Sequence, residues 1–236
     1  MPRILDLCCC AGGASVGLAR AGWTVTGVDV EPQPHYPFRF LQGDAMNVDL
    51  AGYDAYWASP PCQRSSRCAH IPGRDMSAYP DLIGPLRERL IKTGKPFVIE
   101  NVPGSPLENY LVLCGSMFGL KLRRHRWFEC HPPLYFSPAS CNHSGRSKPP
   151  GKGRSLGYYF ANAETNVIVA GHLFNLRAGS SAMGINWMNC DEMAEAVPPV
   201  YAEYIGKHLL SASKGPTDES KSYAQTSRSG GIPAVP

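Results

Sequence analysis

Short apolar runs punctuated by turn-forming residues mark the first hundred positions, and their period switches back and forth between strand and helix. Ile4 to Leu7 reads as a buried strand and is followed by glycines. Ala14 to Ala21 predicts a helix, with Val16, Leu18 and Ala19 offering apolar faces and Gly22 at the C-cap position. Thr24 to Val28 predicts a second strand that ends in Asp29, and Arg39 to Gln42 a short third one before Gly43-Asp44. Asp54 to Ala58 predicts a fourth strand, ending in Ser-Pro-Pro-Cys-Gln. Leu82, Ile83, Leu86, Leu90 and Ile91 keep helical spacing, with Pro85 expected to kink or restart that helix. Gly94 closes it, Pro96 prevents continuation, and Pro96 to Glu100 predicts a fifth strand ending in Glu-Asn-Val-Pro-Gly.

Alternation of this kind predicts an α/β fold with a doubly wound, mostly parallel sheet. Past Trp127 the pattern breaks down. Residues 130–160, rich in Pro, Ser, Gly, Lys and Arg, read as an irregular loop region. Asn166 to Gly171 predicts a further strand, and Asp191 to Leu210 a helical region interrupted by Pro198-Pro199. From Ser211 onward no apolar periodicity remains, which predicts a disordered tail. The expected organisation is a core over residues 1–129, a small irregular insert over 130–188, a helical segment over 189–210 that completes the core, and a tail over 211–236.

Composition narrows the class. The chain has 236 residues, enough for one α/β domain with a full core. No run of eighteen or more apolar residues is present, so a transmembrane helix is not expected, and the first residues lack the apolar core of a signal peptide. A cytoplasmic protein is expected, with its 9 cysteines reduced. Three of these, Cys8, Cys9 and Cys10, are consecutive, and no CxxC pair occurs. Cys130, His131, Cys141 and His143 are residue types that can hold zinc, but their spacing matches no common finger and no metal ligand is assigned. The net charge of +4 is mild, but from Lys121 to Arg154 eight basic residues face one acid, Glu129. A local excess of this kind suits a phosphate backbone, and equally a solvated loop.

In an open α/β sheet, ligands bind beyond the carboxyl ends of the strands. Those ends carry most of the polar and reactive residues of this chain. The first holds Asp6 and the turn to Gly12-Gly13, where glycine lets backbone approach a cofactor. Its spacing is neither that of a phosphate-binding loop nor GxGxxG. Asp29 ends the second strand, one βα unit later, where an acid can accept from ribose hydroxyls. Asp44 could accept from an exocyclic amine; alone, either acid could equally be a loop cap. At the fourth strand end two prolines stiffen the backbone before Cys62, the kind of turn that presents a nucleophile. The fifth supplies Glu100-Asn101. A thiol and a carboxyl facing one pocket suit attack on an electron-poor ring, with the carboxyl hydrogen-bonding the ring as it gains charge.

These motifs, in this order from Asp6 to about Gly206, resemble those of the cytosine-C5 DNA methyltransferases. DLCCCAGGASVGL resembles the first cofactor motif of that family, VDVE and QGDA the next two, SPPCQ the nucleophile motif and ENV the base-holding motif. LRRHR resembles QxRxR, and EAVPPVYAEYIG the last motif. The set looks most like compact enzymes of phages and mobile elements. The resemblance implies a class I, Rossmann-like fold, S-adenosylmethionine as cofactor, and double-stranded DNA as partner with its target cytosine flipped out. A monomer in the cytoplasm of a bacterial cell or phage-infected host is the corresponding expectation.

Residue by residue, the resemblance implies Cys62 as the nucleophile that attacks C6, Glu100 as the group holding N3 and the amino edge, and Arg126 with its partner Arg124 beside them. Asp6, Leu7, Cys8, Ala11, Gly12, Gly13, Asp29, Val30, Asp44, Ala45, Pro60 and Val197 fall on cofactor-binding positions. Gln63, Asn101, Arg123, Arg146, Lys148, Lys152 and Arg154 are the nucleic-acid candidates. The chain departs from the family at Cys8, where Phe is usual, at Cys10, where Gly is usual, at Leu122 for Gln, and at Ala194-Glu195 for Gly-Asn. About sixty residues stand between the arginine motif and the last motif, where the family usually carries a larger recognition region, so a second subunit could assist sequence reading. The same chemistry on RNA or a free nucleotide, and a catalytically silent cofactor- or DNA-binding module, are the rival readings.

Overall fold

In the computed structural model, the described residues are 1–66, 79–134, 137–143, 167–169 and 174–213. Seven strands form one sheet: β1 (Arg3–Leu7), β2 (Thr24–Asp29), β3 (Arg39–Gln42), β4 (Ala55–Ala58), β5 (Phe97–Asn101), β6 (Leu111–Leu113) and β7 (Arg126–His131). Their order is β3-β2-β1-β4-β5-β7-β6. The first five are parallel, β7 runs antiparallel to β5, and β6 antiparallel to β7. The order reverses between β1 and β4, so the crevice beyond their carboxyl ends is the topological switch point of the sheet.

Both faces of the sheet are covered, as parallel strands require. Ile4, Val25, Trp57, Val98 and Phe128 point to one face, where α1 (Gly13–Arg20) and α5 (Pro199–Ser213) cover them with Leu18, Tyr201, Ile205 and Leu209. Leu5, Leu7, Tyr56, Ala58, Phe97 and Ile99 point to the other, packed by Ile83, Leu86 and Leu90 of α2 (Ile83–Ile91). The alternation along each strand follows from the two-residue period of the pleat. A third cluster joins Leu122, Val167 and Val169 to α3 (Leu176–Met183) and α4 (Cys190–Glu195) through Phe174, Met183, Met188 and Met193.

Close backbone approach lets α5 lie on α1. A Cβ at Gly17 would run into the Pro199 carbonyl and stand 2.7 Å from Glu203 N. At Gly13 it would collide with the Val197 carbonyl. The Trp23 indole ties the far end by donating to the Gly206 carbonyl at 2.9 Å.

Several expectations change. Pro85 neither kinks nor interrupts α2; it lies in the first turn, where the missing N–H would have no intrahelical partner. The fourth strand begins at Ala55 because Asp54 turns its carboxylate to the Arg3 N–H, at 2.7 Å. Residues 130 and 131, read as the start of an irregular region, complete β7, and β6 and α3 were not anticipated. Of the expected strand over Asn166–Gly171, Val167 forms a parallel bridge with Leu122, and Asn166, Ala170 and Gly171 lie outside the described residues. Helix α5 runs to Ser213, past the expected start of the tail, and 214–236 lie outside the described residues. Among the described residues no helix is long and apolar enough to cross a membrane.

Gly17→Ala is expected to lower unfolding stability by about 1–3 kcal/mol, the usual cost of overpacking. Urea denaturation should show this as a lower midpoint at unchanged slope.

Candidate functional site

The turn from β1 to α1 is built around three left-handed residues, Cys8 at φ 56°, Cys10 at φ 43° and Gly12 at φ 84°. Only Gly12 takes that conformation freely; the two cysteines carry a Cβ that makes it costly. The usual glycine at position 10 of the resembling family therefore has a backbone reason. Strand β2 holds the turn in place: Cys9 N donates to the Val28 carbonyl at 3.0 Å and Cys10 N to Asp29 Oδ2 at 2.9 Å. Asp29 Oδ1 accepts from Glu31 N at 3.1 Å, so this acid shapes the crevice wall before it meets any ligand.

Asp6 lies fully buried beneath the turn. Ser15 donates to its Oδ2 and contacts the Tyr36 hydroxyl at 2.7 Å, while Asp6 Oδ1 has no hydrogen-bond partner among the described residues. Burial pushes the Asp6 carboxyl up to about 7, partly offset by Ser15 and reinforced by Asp29 and Glu100. Next to Asp29, Val30 is 58% exposed at the carboxyl end of β2, an apolar surface on which a flat ring can rest. Asp44 is exposed and occupied locally, accepting from Met46 N at 2.8 Å and Asn47 Nδ2 at 2.7 Å; it caps its own turn. Leu7, Ala11, Ala45, Pro60 and Val197 are buried in the walls. The Ala11 carbonyl is taken by the Trp187 indole at 2.8 Å. The buried acceptor without a partner, the exposed Val30 and the glycine turn fit an adenosyl cofactor with a polar tail.

Burial also pushes the Cys8 thiol up to about 12, and raises Cys9 and Cys10 well above their ordinary value, with the Asp6 and Asp29 charges adding to the effect. Burial and the neighbouring carboxylates thus favour the neutral thiol at all three positions.

Beyond β4 and β5 a second group converges. Cys62 follows the two prolines at the end of β4, and the turn is pinned by Asn101, whose Nδ2 donates to the Pro60 carbonyl at 2.9 Å. Asn101 is 1% exposed and its Oδ1 accepts from Val102 N, so in this structure it positions the cysteine turn. Glu100, buried at the end of β5, pairs with Arg126, Nε to Oε1, at 3.0 Å. That contact is close but poorly aligned, and Glu100 Oε1 receives no hydrogen bond among the described residues. Burial raises the Glu100 carboxyl, against the lowering effects of Arg126, Arg124 and a Ser59 hydrogen bond. Ser59, which also accepts from the Trp57 indole at 3.0 Å, is a site residue that sequence reading missed.

Burial raises the Cys62 thiol as well; Arg126 works against this and Glu100 with it. On balance these residues favour its neutral thiol. Arg124 is buried and donates to the Val169 and Ala194 carbonyls, the latter at 2.6 Å, so it fastens this edge to the segment before α3 and to α4. Its charge still acts on Glu100 and Cys62. Glu195, where the resembling family has Asn, bears electrostatically on Cys62, Cys10 and Asp29, linking the two halves of the site. Gln63 is partly buried with an unpartnered Oε1, and Arg123 is exposed. Arg146, Lys148, Lys152 and Arg154 lie outside the described residues.

The four Cys/His candidates separate. Cys130 is buried in β7 and His131 stacks on Phe97 at 4.4 Å, whereas Cys141 and His143 meet Cys114 and His125 instead.

No family model matches this chain, and no curated protein sequence matches it. Solved structures share its fold. An E. coli protein described as a DNA modification methyltransferase encoded within a prophage superposes with a TM-score of 0.57 at 15% identity, over 89% of this chain and 99% of that one. The S. pombe Dnmt2 methyltransferase superposes with a TM-score of 0.59 at 13% identity, over 90% of this chain and 99% of that one. At such identities the likeness is one of fold: a doubly wound, Rossmann-like α/β architecture.

Two outcomes test this site. Cys10→Gly is expected to raise stability by roughly 0.5–1 kcal/mol, the left-handed penalty less the entropy cost of glycine, read as a higher urea midpoint. Asp6 has a folded value near 7 against 3.8 unfolded, so the folded chain binds the extra proton and stability falls as pH rises between them. Asp6→Asn should flatten that decline, measured as denaturation midpoint against pH.

Proposed function

We propose that this protein methylates C5 of cytosine in DNA, with S-adenosylmethionine as methyl donor and Cys62 as covalent nucleophile. The observation that carries this reading is the pairing of Glu100 and Arg126 at 3.0 Å beside the pinned Cys62 turn, beyond the carboxyl ends of β4 and β5. Order of motifs and the fold shared with the two methyltransferases add support.

A raised Glu100 carboxyl suits a group that donates a proton or hydrogen bond to N3 of the ring while its other oxygen accepts from the exocyclic amine. Cys62 sulfur forms a bond to C6, and the electron pair of the C5–C6 bond is delocalised toward N3, where Glu100 neutralises it. Bound in the crevice, S-adenosylmethionine supplies an electrophilic methyl for the carbon nucleophile at C5. Loss of the C5 proton to solvent then expels Cys62 as thiolate, returns the N3 proton to Glu100 and restores the ring. Arg126 balances the charge of Glu100 and, by opposing the burial of Cys62, favours its thiolate. Asp6, the Gly12-Gly13 turn, Asp29 and Val30 would hold the cofactor, and Gln63, Arg123 and the basic residues to Arg154 would contact DNA.

The experiment incubates the protein with labelled S-adenosylmethionine and DNA, RNA or dCMP, then digests to nucleosides. 5-Methylcytosine in the DNA arm is expected. Its absence from all three arms overturns the reading, and its appearance only with RNA or dCMP overturns the DNA substrate. Cys62→Ser should abolish turnover and Cys9→Ser largely preserve it, while Glu100→Gln should lower kcat by about 10²–10⁴-fold.

A further inference from the structure

We propose that Cys114, His125, Cys141 and His143 form a structural zinc site. This inference does not depend on methyl transfer. Each of the four offers one donor atom, and all four atoms lie within 4.8 Å of one another. Cys141 Sγ is 3.3 Å from His125 Nε2, and Cys114 Sγ is 3.4 Å from His143 Nε2. Tetrahedral zinc with ordinary bond lengths separates a thiolate sulfur from an imidazole nitrogen by roughly 3.5 Å, which both pairs match. Cys141 Sγ and His143 Nε2 are closer, at 2.6 Å. They belong to one Cys-x-His loop, and opening this pair by about 1 Å gives the same tetrahedral edge.

Both imidazoles present Nε2 to the centre, and their rings meet edge to face at 88°. Cys114 is buried and the other three are half-buried, so an ion could reach the cluster from solvent. Two thiolates and two neutral imidazoles balance the charge of Zn²⁺. With four protein donors no position stays open, which marks a structural rather than a catalytic centre. Outer support is present too. Ser116 Oγ lies 3.6 Å from both sulfurs and is itself fixed by Asn142 N at 3.1 Å. Such a hydroxyl steadies a ligating thiolate.

Position gives the centre its purpose. Cys114 directly follows β6, and His125 directly precedes β7, between Arg124 and Arg126. The two loop ligands come after β7 and stand just before the basic run that starts at Arg146. Zinc would therefore clamp the loop after β7 onto the sheet and hold the segment that delivers Arg126 to Glu100. A thiol–imidazole cluster without metal, or a Cys114–Cys141 disulfide, are the competing outcomes.

The test uses full-length protein, purified in reducing buffer from zinc-supplemented cells. Metal analysis is expected to find one zinc per chain, and Co²⁺ substitution to give tetrahedral d–d bands with a thiolate charge-transfer band. Cys141→Ser and His143→Ala should lose most of the metal, and a chelator should lower the melting temperature of the wild type but not of these variants. His143→Cys, which still offers a soft donor, should retain zinc, and so should His131→Ala, outside the cluster. Because His143 and Cys141 lie in a loop, their variants remain folded enough to assay; far-UV circular dichroism checks this. Substoichiometric zinc after reconstitution, unchanged zinc in both loop variants, a cobalt spectrum without the thiolate band, or a Cys114–Cys141 disulfide in metal-free protein overturns the proposal.

Discussion

The near-contact of α5 with α1 is the constraint on which the rest of this fold depends. Gly17 gives way to the Pro199 carbonyl and Gly13 to that of Val197, so the last helix lies directly against the first. The same contact buries Tyr201, Ile205 and Leu209 on the sheet and places Val197 next to the Gly12-Gly13 turn. Residues separated by most of the chain thereby share the wall of one crevice. Through its hydroxyl, at 2.7 Å from the Arg124 carbonyl, Tyr201 also steadies the strand edge that carries the arginines.

Charge inside this protein is placed in mutually dependent groups. Glu100 is tolerable in the interior because Arg126 faces it, and Arg124 because two carbonyls receive it. Glu129, 1% exposed in β7, is held by Arg87 of α2 through two contacts of 2.7 Å. Removing one member of any of these groups strands another without solvent, a heavier cost than the pair itself contributes. Among the described residues no cation is paired with Asp6, and burial raises its carboxyl.

The five parallel strands were legible because their apolar runs are bounded by Gly, Pro and acids, the grammar of a βα unit. β7 was not, because Arg-Trp-Phe-Glu-Cys-His reads as surface sequence unless Arg87 is known to neutralise Glu129 from a helix about forty residues earlier. β6 has three residues, too few to show a period. At the site, Cys62 and Glu100 stood out as reactive groups at strand ends. The inward turn of Asn101 and the parts played by Ser59 and Glu195 depend on packing that no linear spacing records. The Cys/His cluster shows the same limit: adjacency in the chain pointed to Cys130 and His131, while the loop folds back onto Cys114 and His125.

The buried thiols have a consequence for chemical durability. Oxidants and alkylating agents attack thiolate far faster than thiol. Cys8, Cys9, Cys10 and Cys62 are all pushed toward the neutral form by burial. Burial therefore makes the thiols of this cysteine-rich crevice poorer targets for such reagents than exposed cysteines would be.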